Sequence, residues 1–216
     1  MARFDTFVFD LDGTLLDTLP DLVVLTNAAL NEQGFPSRTA DEIHSFVGNG
    51  ARALMYQAVP ADASPEQAEA AMRRWMELYP VIGNKLTKPY PHMEETLAAL
   101  AQRGIGLGVL SNKFDQGVHD VIDAYLPGLF PVQYGECDEI PRKPDPTGLL
   151  LCASELGVAP EECLFFGDSA SDMQAAHNAG MEAVAVTWGY QPQERLMAAA
   201  PDHVIEKPVD MLRFIE

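Results

Sequence analysis

The apolar positions of this chain follow two rhythms. In one, Phe7–Phe9, Ile105–Leu110, Cys163–Phe166 and Ala183–Val186 form short, nearly unbroken apolar runs. Such runs read as strands covered on both faces, as in a parallel sheet. Pro131–Tyr134 and His203–Ile205 are poorer versions, the latter suited to an edge. In the other rhythm, no strand pattern occurs between Thr18 and Thr87, where Leu22–Glu32, Thr39–Phe46, Gly50–Ala58 and Pro65–Tyr79 read as helices. The first opens at Asp17–Asp21 and stops near Gly34–Pro36; the last takes Ser64 as N-cap. Met72, Trp75, Met76 and Tyr79 share one face of that last helix, and the spacing predicts a small core there.

From Pro89 onward helices alternate with strands. Met93–Arg103, Gln116–Tyr125, a helix to Leu156 with Asp145 as N-cap and Pro146 in its first turn, Ser171–Ala179, Gln193–Ala200 and Val209–Phe214 are the expected helices. This alternation predicts an α/β fold with a doubly wound, mostly parallel, Rossmann-like sheet. The helices between Thr18 and Thr87 form an inserted all-α bundle. The expected boundaries are residues 1–17 and 85–216 for the core and 18–84 for the insertion.

In sheets of this kind ligands bind outside the carboxyl ends of the strands. Four ends carry polar chemistry: Asp10, Asp12, Gly13 and Thr14 after the first strand, Ser111-Asn112-Lys113 after the second, Arg142–Pro146 with Lys143 after the third, and Gly167–Asp172 after the fourth. Ser111 and Asp168, each alone, read as turn or cap residues. Buried acids need compensation from a divalent metal, backbone N–H groups or a proton. Asp10, Asp168 and Asp172 are hard oxygen donors of the kind that suit Mg²⁺. A hydroxyl, a lysine and loop N–H groups suit phosphoryl oxygens. One carboxylate is then left to act as nucleophile and a second to move protons.

Composition narrows the partners. The 32 Asp and Glu against 14 Lys and Arg give a net charge of -18. That field repels nucleic acid and anionic membranes. An anionic substrate therefore needs a bound cation or a few placed basic side chains. Cys137, Cys152 and Cys163 lack metal-binding spacing and are expected to be packed as small hydrophobes in a reducing compartment. No signal peptide and no membrane-spanning run is read, so a cytoplasmic protein is expected. None of the five histidines has metal-ligand spacing, and His92 and His177 are expected at the surface or at helix ends.

Asp10-Leu11-Asp12-Gly13-Thr14, Ser111-Asn112, Lys143-Pro144 and Gly167-Asp168…Asp172, in that order, resemble the four motifs of the haloacid dehalogenase superfamily. The insertion is similar to that superfamily's first-type cap. Val47–Arg52, Gly167–Ser169 and Thr187–Tyr190 look most like its phosphoglycolate phosphatase branch. The resemblance implies a Mg²⁺-dependent phosphatase with Asp10 as nucleophile and Asp12 as proton donor and acceptor. It implies metal contacts from Asp10, the Asp12 carbonyl, Asp168 and Asp172. Ser111 and Lys143 would hold phosphoryl oxygens beside Asn112, Gly13 and Thr14, and Arg52 and Asn49 of the insertion would reach the substrate. The substrate is then a small phosphorylated metabolite, with 2-phosphoglycolate leading and sugar phosphates or phosphomutase chemistry as alternatives, in a monomer or homodimer. A phospho-acceptor receiver domain is the non-enzyme alternative.

Overall fold

The structure, a computed structural model, describes residues 4–215. The ends of the expected core segments, residues 1–3 and 216, lie outside the described residues. The chain divides into two compact units, one comprising Met1–Leu16 with Pro89–Glu216, the other Asp17–Lys88.

The first unit is built on six strands. In chain order they are β1 (Thr6–Phe9), then, after the short ribbon strands β2 (Leu16–Asp17) and β3 (Lys88–Pro89), β4 (Gly106–Phe114), β5 (Val132–Glu136), β6 (Cys163–Gly167), β7 (Glu182–Val186) and β8 (His203–Ile205). The sheet order is β5-β4-β1-β6-β7-β8, and each pair is parallel. Counting only these six, the order is 3-2-1-4-5-6, so the winding reverses at β1, and the crevice at the carboxyl ends of β4, β1 and β6 is the switch point.

Alternating side chains serve two cores. Phe7, Phe9, Leu107, Val109, Leu164 and Phe166 pack on one face of the sheet, with Phe9 stacked on Phe166 at 4.9 Å. Val8, Cys163, Phe165, Ala183 and Ala185 pack on the other. Burial on both faces explains why these strands carry unbroken apolar runs rather than an in–out alternation.

The second unit holds α1 (Leu19–Glu32), α2 (Ala40–Phe46), α3 (Gly50–Ala58) and α4 (Pro65–Ile82). Thr39 and Ser64 cap α2 and α4 through capping boxes with Glu42 and Gln67. Trp75 is buried and donates its indole N–H to Thr26 Oγ1. Met72 and Tyr79 are also buried, but Met76, expected beside them, is 38% exposed. The buried stripe also runs through Ala68, Ala71 and Leu78, which places Met76 on its rim.

The first unit's helices are α5 (Met93–Gln102), α6 (Asp115–Tyr125), α7 (Thr147–Leu156), α8 (Ala170–Ala179) and α9 (Gln193–Ala198). Three details differ from the sequence reading. The α7 cap position is Pro146; Asp145 instead accepts from Thr147 N in a local turn. Pro208–Phe214 is a 3-10 helix. Cys137 is exposed, in a reciprocal backbone turn with Ile140, whereas Cys152 and Cys163 are buried. Among the described residues no helix is long and apolar enough to cross a membrane.

Candidate active site

Asp10 directly follows β1, and its N–H extends the ladder to Phe166 O at 2.8 Å. The chain then turns tightly, with Leu11 O accepting from the N–H groups of Thr14, Leu15 and Leu16. Gly13 sits in this turn at φ +88, and a Cβ there would overlap Asp168 and the Tyr190 ring. Glycine is required on both counts, backbone sign and close approach. Thr14 is fully buried; its carbonyl accepts from Trp188 Nε1 at 3.0 Å, while its hydroxyl has no hydrogen-bond partner.

Ser111, Asn112 and Lys113 were expected beyond the strand end but lie within β4. Leu110 pairs with Tyr134 and Phe114 with Glu136, so four residues on β4 span two on β5. The two surplus residues form a bulge, which breaks the ladder and re-aims side chains. Asn112 Oδ1 accepts from Lys143 N at 2.8 Å, fixing the backbone of the lysine. Lys143, whose peptide bond to Pro144 is cis, donates its ammonium to Asp10 Oδ1 at 2.7 Å and Leu110 O at 3.2 Å. The same ammonium stands 2.7 Å from Asp172 Oδ1.

The third set of groups comes from β6 and α8. Ser169 caps α8, and Asp172 Oδ2 accepts from both its N–H and its hydroxyl, at 2.9 and 2.6 Å. Asp172 is thereby turned inward at 0% exposure. Asp168 Oδ2 accepts from Tyr190 N at 2.5 Å. The loop carrying Tyr190 presses so closely that a Cβ at Gly189 would overlap Asp168.

One carboxylate oxygen from each of Asp10, Asp168 and Asp172 lies within 4.8 Å of the others. Burial, with Asp172 and Asp12 adding to it and Lys143 opposing, pushes the Asp10 carboxyl from 3.8 up to about 7. Burial also raises Asp168 well above its ordinary value, helped by Asp10 and Asp172. Burial works against the Lys143 ammonium, but the Asp10 and Asp172 carboxylates more than offset it and hold its pKa above the ordinary lysine value. Three buried acids thus cluster around one ammonium, which contacts two of them, Asp10 and Asp172. Asp172 Oδ1 is ion-paired with that ammonium but has no hydrogen-bond partner. This donor set fits a small divalent cation: hard oxygens, excess negative charge and an unsatisfied carboxylate oxygen.

The structure therefore gathers Asp10, Asp12, Gly13, Thr14, Ser111, Asn112, Lys143, Asp168 and Asp172 at the switch-point end of one sheet. Asn49 and Arg52 belong to the helical unit, at the start of α3. There Arg52 is exposed and bidentate to Glu69, at 2.5 and 3.2 Å, with its guanidinium 5.9 Å from the Tyr56 ring centroid. Two contributors were missed as site residues. Lys113 is buried with its ammonium 3.4 Å from Asp12 Oδ1. Gly189-Tyr190 encloses Asp168, although its place after a strand, at the carboxyl edge, was a usable signal.

Known proteins resemble this chain over most of its length. The haloacid dehalogenase-like hydrolase family matches residues 7–186. A phosphoglycolate phosphatase of Pseudomonas putida is 36% identical over 205 residues, covering 92% of this chain and 75% of its own. One from Vibrio vulnificus is 36% identical, covering 94% of this chain and 92% of its own. The crystal structure of a predicted phosphoglycolate phosphatase from Haemophilus somnus superposes with a TM-score of 0.93 at 30% identity, covering 100% of both chains.

Proposed function

This chain belongs to the haloacid dehalogenase-like hydrolase family and is a phosphatase, and on that premise we propose that it hydrolyses a small phosphate monoester through a phosphorylated Asp10. The supporting observation is the Asp10 carboxylate, fixed at a strand end and bound to a buried lysine, with Asp12 two residues on and paired elsewhere. Asp10 attacks phosphorus as the bond to the alcohol oxygen breaks, and Asp12 gives that oxygen its proton. A water then attacks the same phosphorus, the Asp10–phosphorus bond breaks, and Asp12 recovers a proton. Lys143 and the Ser111 hydroxyl hold the phosphoryl oxygens, Asn112 braces Lys143, and Gly13 and Thr14 shape the loop.

Asp10, Asp168, Asp172 and the Asp12 carbonyl would hold Mg²⁺. When bound it supplies positive charge against the phosphoryl oxygens. In a loose transition state most of the gain comes from such positioning and charge neutralisation.

The relatives named for phosphoglycolate support 2-phosphoglycolate as substrate. The helical unit is read as a cap that selects it, with Arg52 and Asn49 as its contacts. A planar guanidinium suits a carboxylate or phosphate. The buried, unbridged Cys152 and Cys163 support a reducing, cytoplasmic setting.

Phosphate release from a panel of small monoesters with Mg²⁺, with Asp10→Asn as blank, tests this reading. We expect activity only in the native chain and only with metal, and rapid quenching with labelled substrate should trap label on Asp10. Turnover by Asp10→Asn would remove covalent catalysis from the account.

A further inference from the structure

Among the described basic side chains, Lys113 and Lys143 alone are buried. Lys143 has a role in the reading above; Lys113 has none. It stands in the bulge of β4, and its position there is fixed on both sides. Its N–H donates to Ser111 Oγ at 3.2 Å, and β5 approaches its carbonyl so closely that a Cβ at Gly135 would overlap it. Its side chain is 4% exposed, and the ammonium lies 3.4 Å from Asp12 Oδ1. An ammonium buried without a partner costs several kcal/mol, so a bulge that drives one inward needs a carboxylate for it to meet.

The two lysines divide the acids between them. Lys143 takes Asp10 and Asp172, each at 2.7 Å. Lys113 takes Asp12, only two residues beyond Asp10. Asp10 and Asp12, two residues apart, are thus held by two different ammonium groups. We propose that Lys113 is a positioning residue: it anchors the Asp12 side chain apart from the Lys143 corner, where the carboxylate serves the departing oxygen. The inference rests on the reading of Asp12 as the proton carrier.

Leaving-group dependence separates this from a packing role. A nitrophenolate departs without a proton, whereas an alkoxide needs one, and kcat/KM reports the steps up to that departure. The test measures kcat/KM for p-nitrophenyl phosphate, ethyl phosphate and 2-phosphoglycolate with the native chain, Lys113→Met, Lys113→Arg and Asp12→Asn. Lys113→Met is expected to lower both alkyl esters by about 10²-fold, the scale of general-acid assistance, and the nitrophenyl ester by less than about threefold. Lys113→Arg should restore most of the alkyl activity. Lys113→Gln carries the same comparison if the Met variant is insoluble.

An equal fall on all three esters would reduce Lys113 to packing. A rise in KM confined to 2-phosphoglycolate would make it a contact for the substrate's second anion instead. Either result overturns the proposal. Asp12→Asn keeps the two levels distinct. If it too fails to discriminate aryl from alkyl esters, the proton-carrier reading falls; if it discriminates and Lys113→Met does not, only the positioning role falls.

Discussion

Two buried aspartates, one in each unit, show how surroundings decide what an acid does. Asp21, in the first turn of α1, is 4% exposed, and Asp10, after β1, is 7% exposed. Asp21 Oδ2 accepts from Leu86 N, Thr87 N and Thr87 Oγ1, at 2.9, 2.6 and 2.8 Å. Three uncharged donors serve one carboxylate and tie the end of the helical segment to its start. Asp10 instead shares one ammonium with Asp172, and Asp168 lies close by. A carboxylate saturated by local donors is a strut; one kept short of compensation is able to take a cation or form a bond.

The contrast can be broken by substitution. Asp10→Asn should abolish turnover in a monoester assay. The metal-free protein should meanwhile melt no lower than the native chain, since an acid–acid repulsion is relieved. Asp21→Ala should do the reverse: it leaves three donors unpaired and costs about 3 kcal/mol in urea unfolding, with kcat of the folded fraction unchanged.

Acidity sharpens the same comparison. The folded Asp10 carboxyl, raised from 3.8 to about 7, holds a proton that the unfolded chain has already released across that window. With EDTA present, stability should therefore be greatest below pH 4 as far as this group is concerned and fall as pH rises toward 7. Added Mg²⁺ should oppose the fall, and melting curves with and without metal at pH 5 and pH 8 measure it. A gain from Mg²⁺ no larger at pH 8 than at pH 5 would contradict the assignment.

Smaller effects follow from the supports. Gly189→Ala, which crowds Asp168, should weaken Mg²⁺ binding by roughly tenfold in calorimetry, as expected when a ligand's outer support is disturbed. Arg52→Ala removes an exposed pair with Glu69 and should change unfolding stability by less than about 1 kcal/mol. Any larger change should appear in KM for a substrate with a second anion.

The strands were legible because burial on both faces leaves an unbroken apolar run. Their carboxyl ends pointed to Asp10, Ser111, Lys143 and Asp168 through one rule about sheets. Contacts set by tertiary proximity were not legible. Nothing local marks Met76 as a rim residue or Cys137 as exposed. Lys113 was hidden because its role depends on the bulge, and a surplus of two residues between Leu110 and Phe114 appears only when β4 is laid against β5. The His203–Ile205 strand was weak in sequence because an edge strand needs less apolar content, yet it pairs with β7 at Val184–Val186.

That surplus has a cost as well as a use. Deleting two residues between Leu110 and Phe114 would let β4 and β5 pair without a break in register. It would also remove two of Ser111, Asn112 and Lys113 from the crevice. At this point in the sheet, continuous strand pairing and the placement of these polar side chains exclude one another.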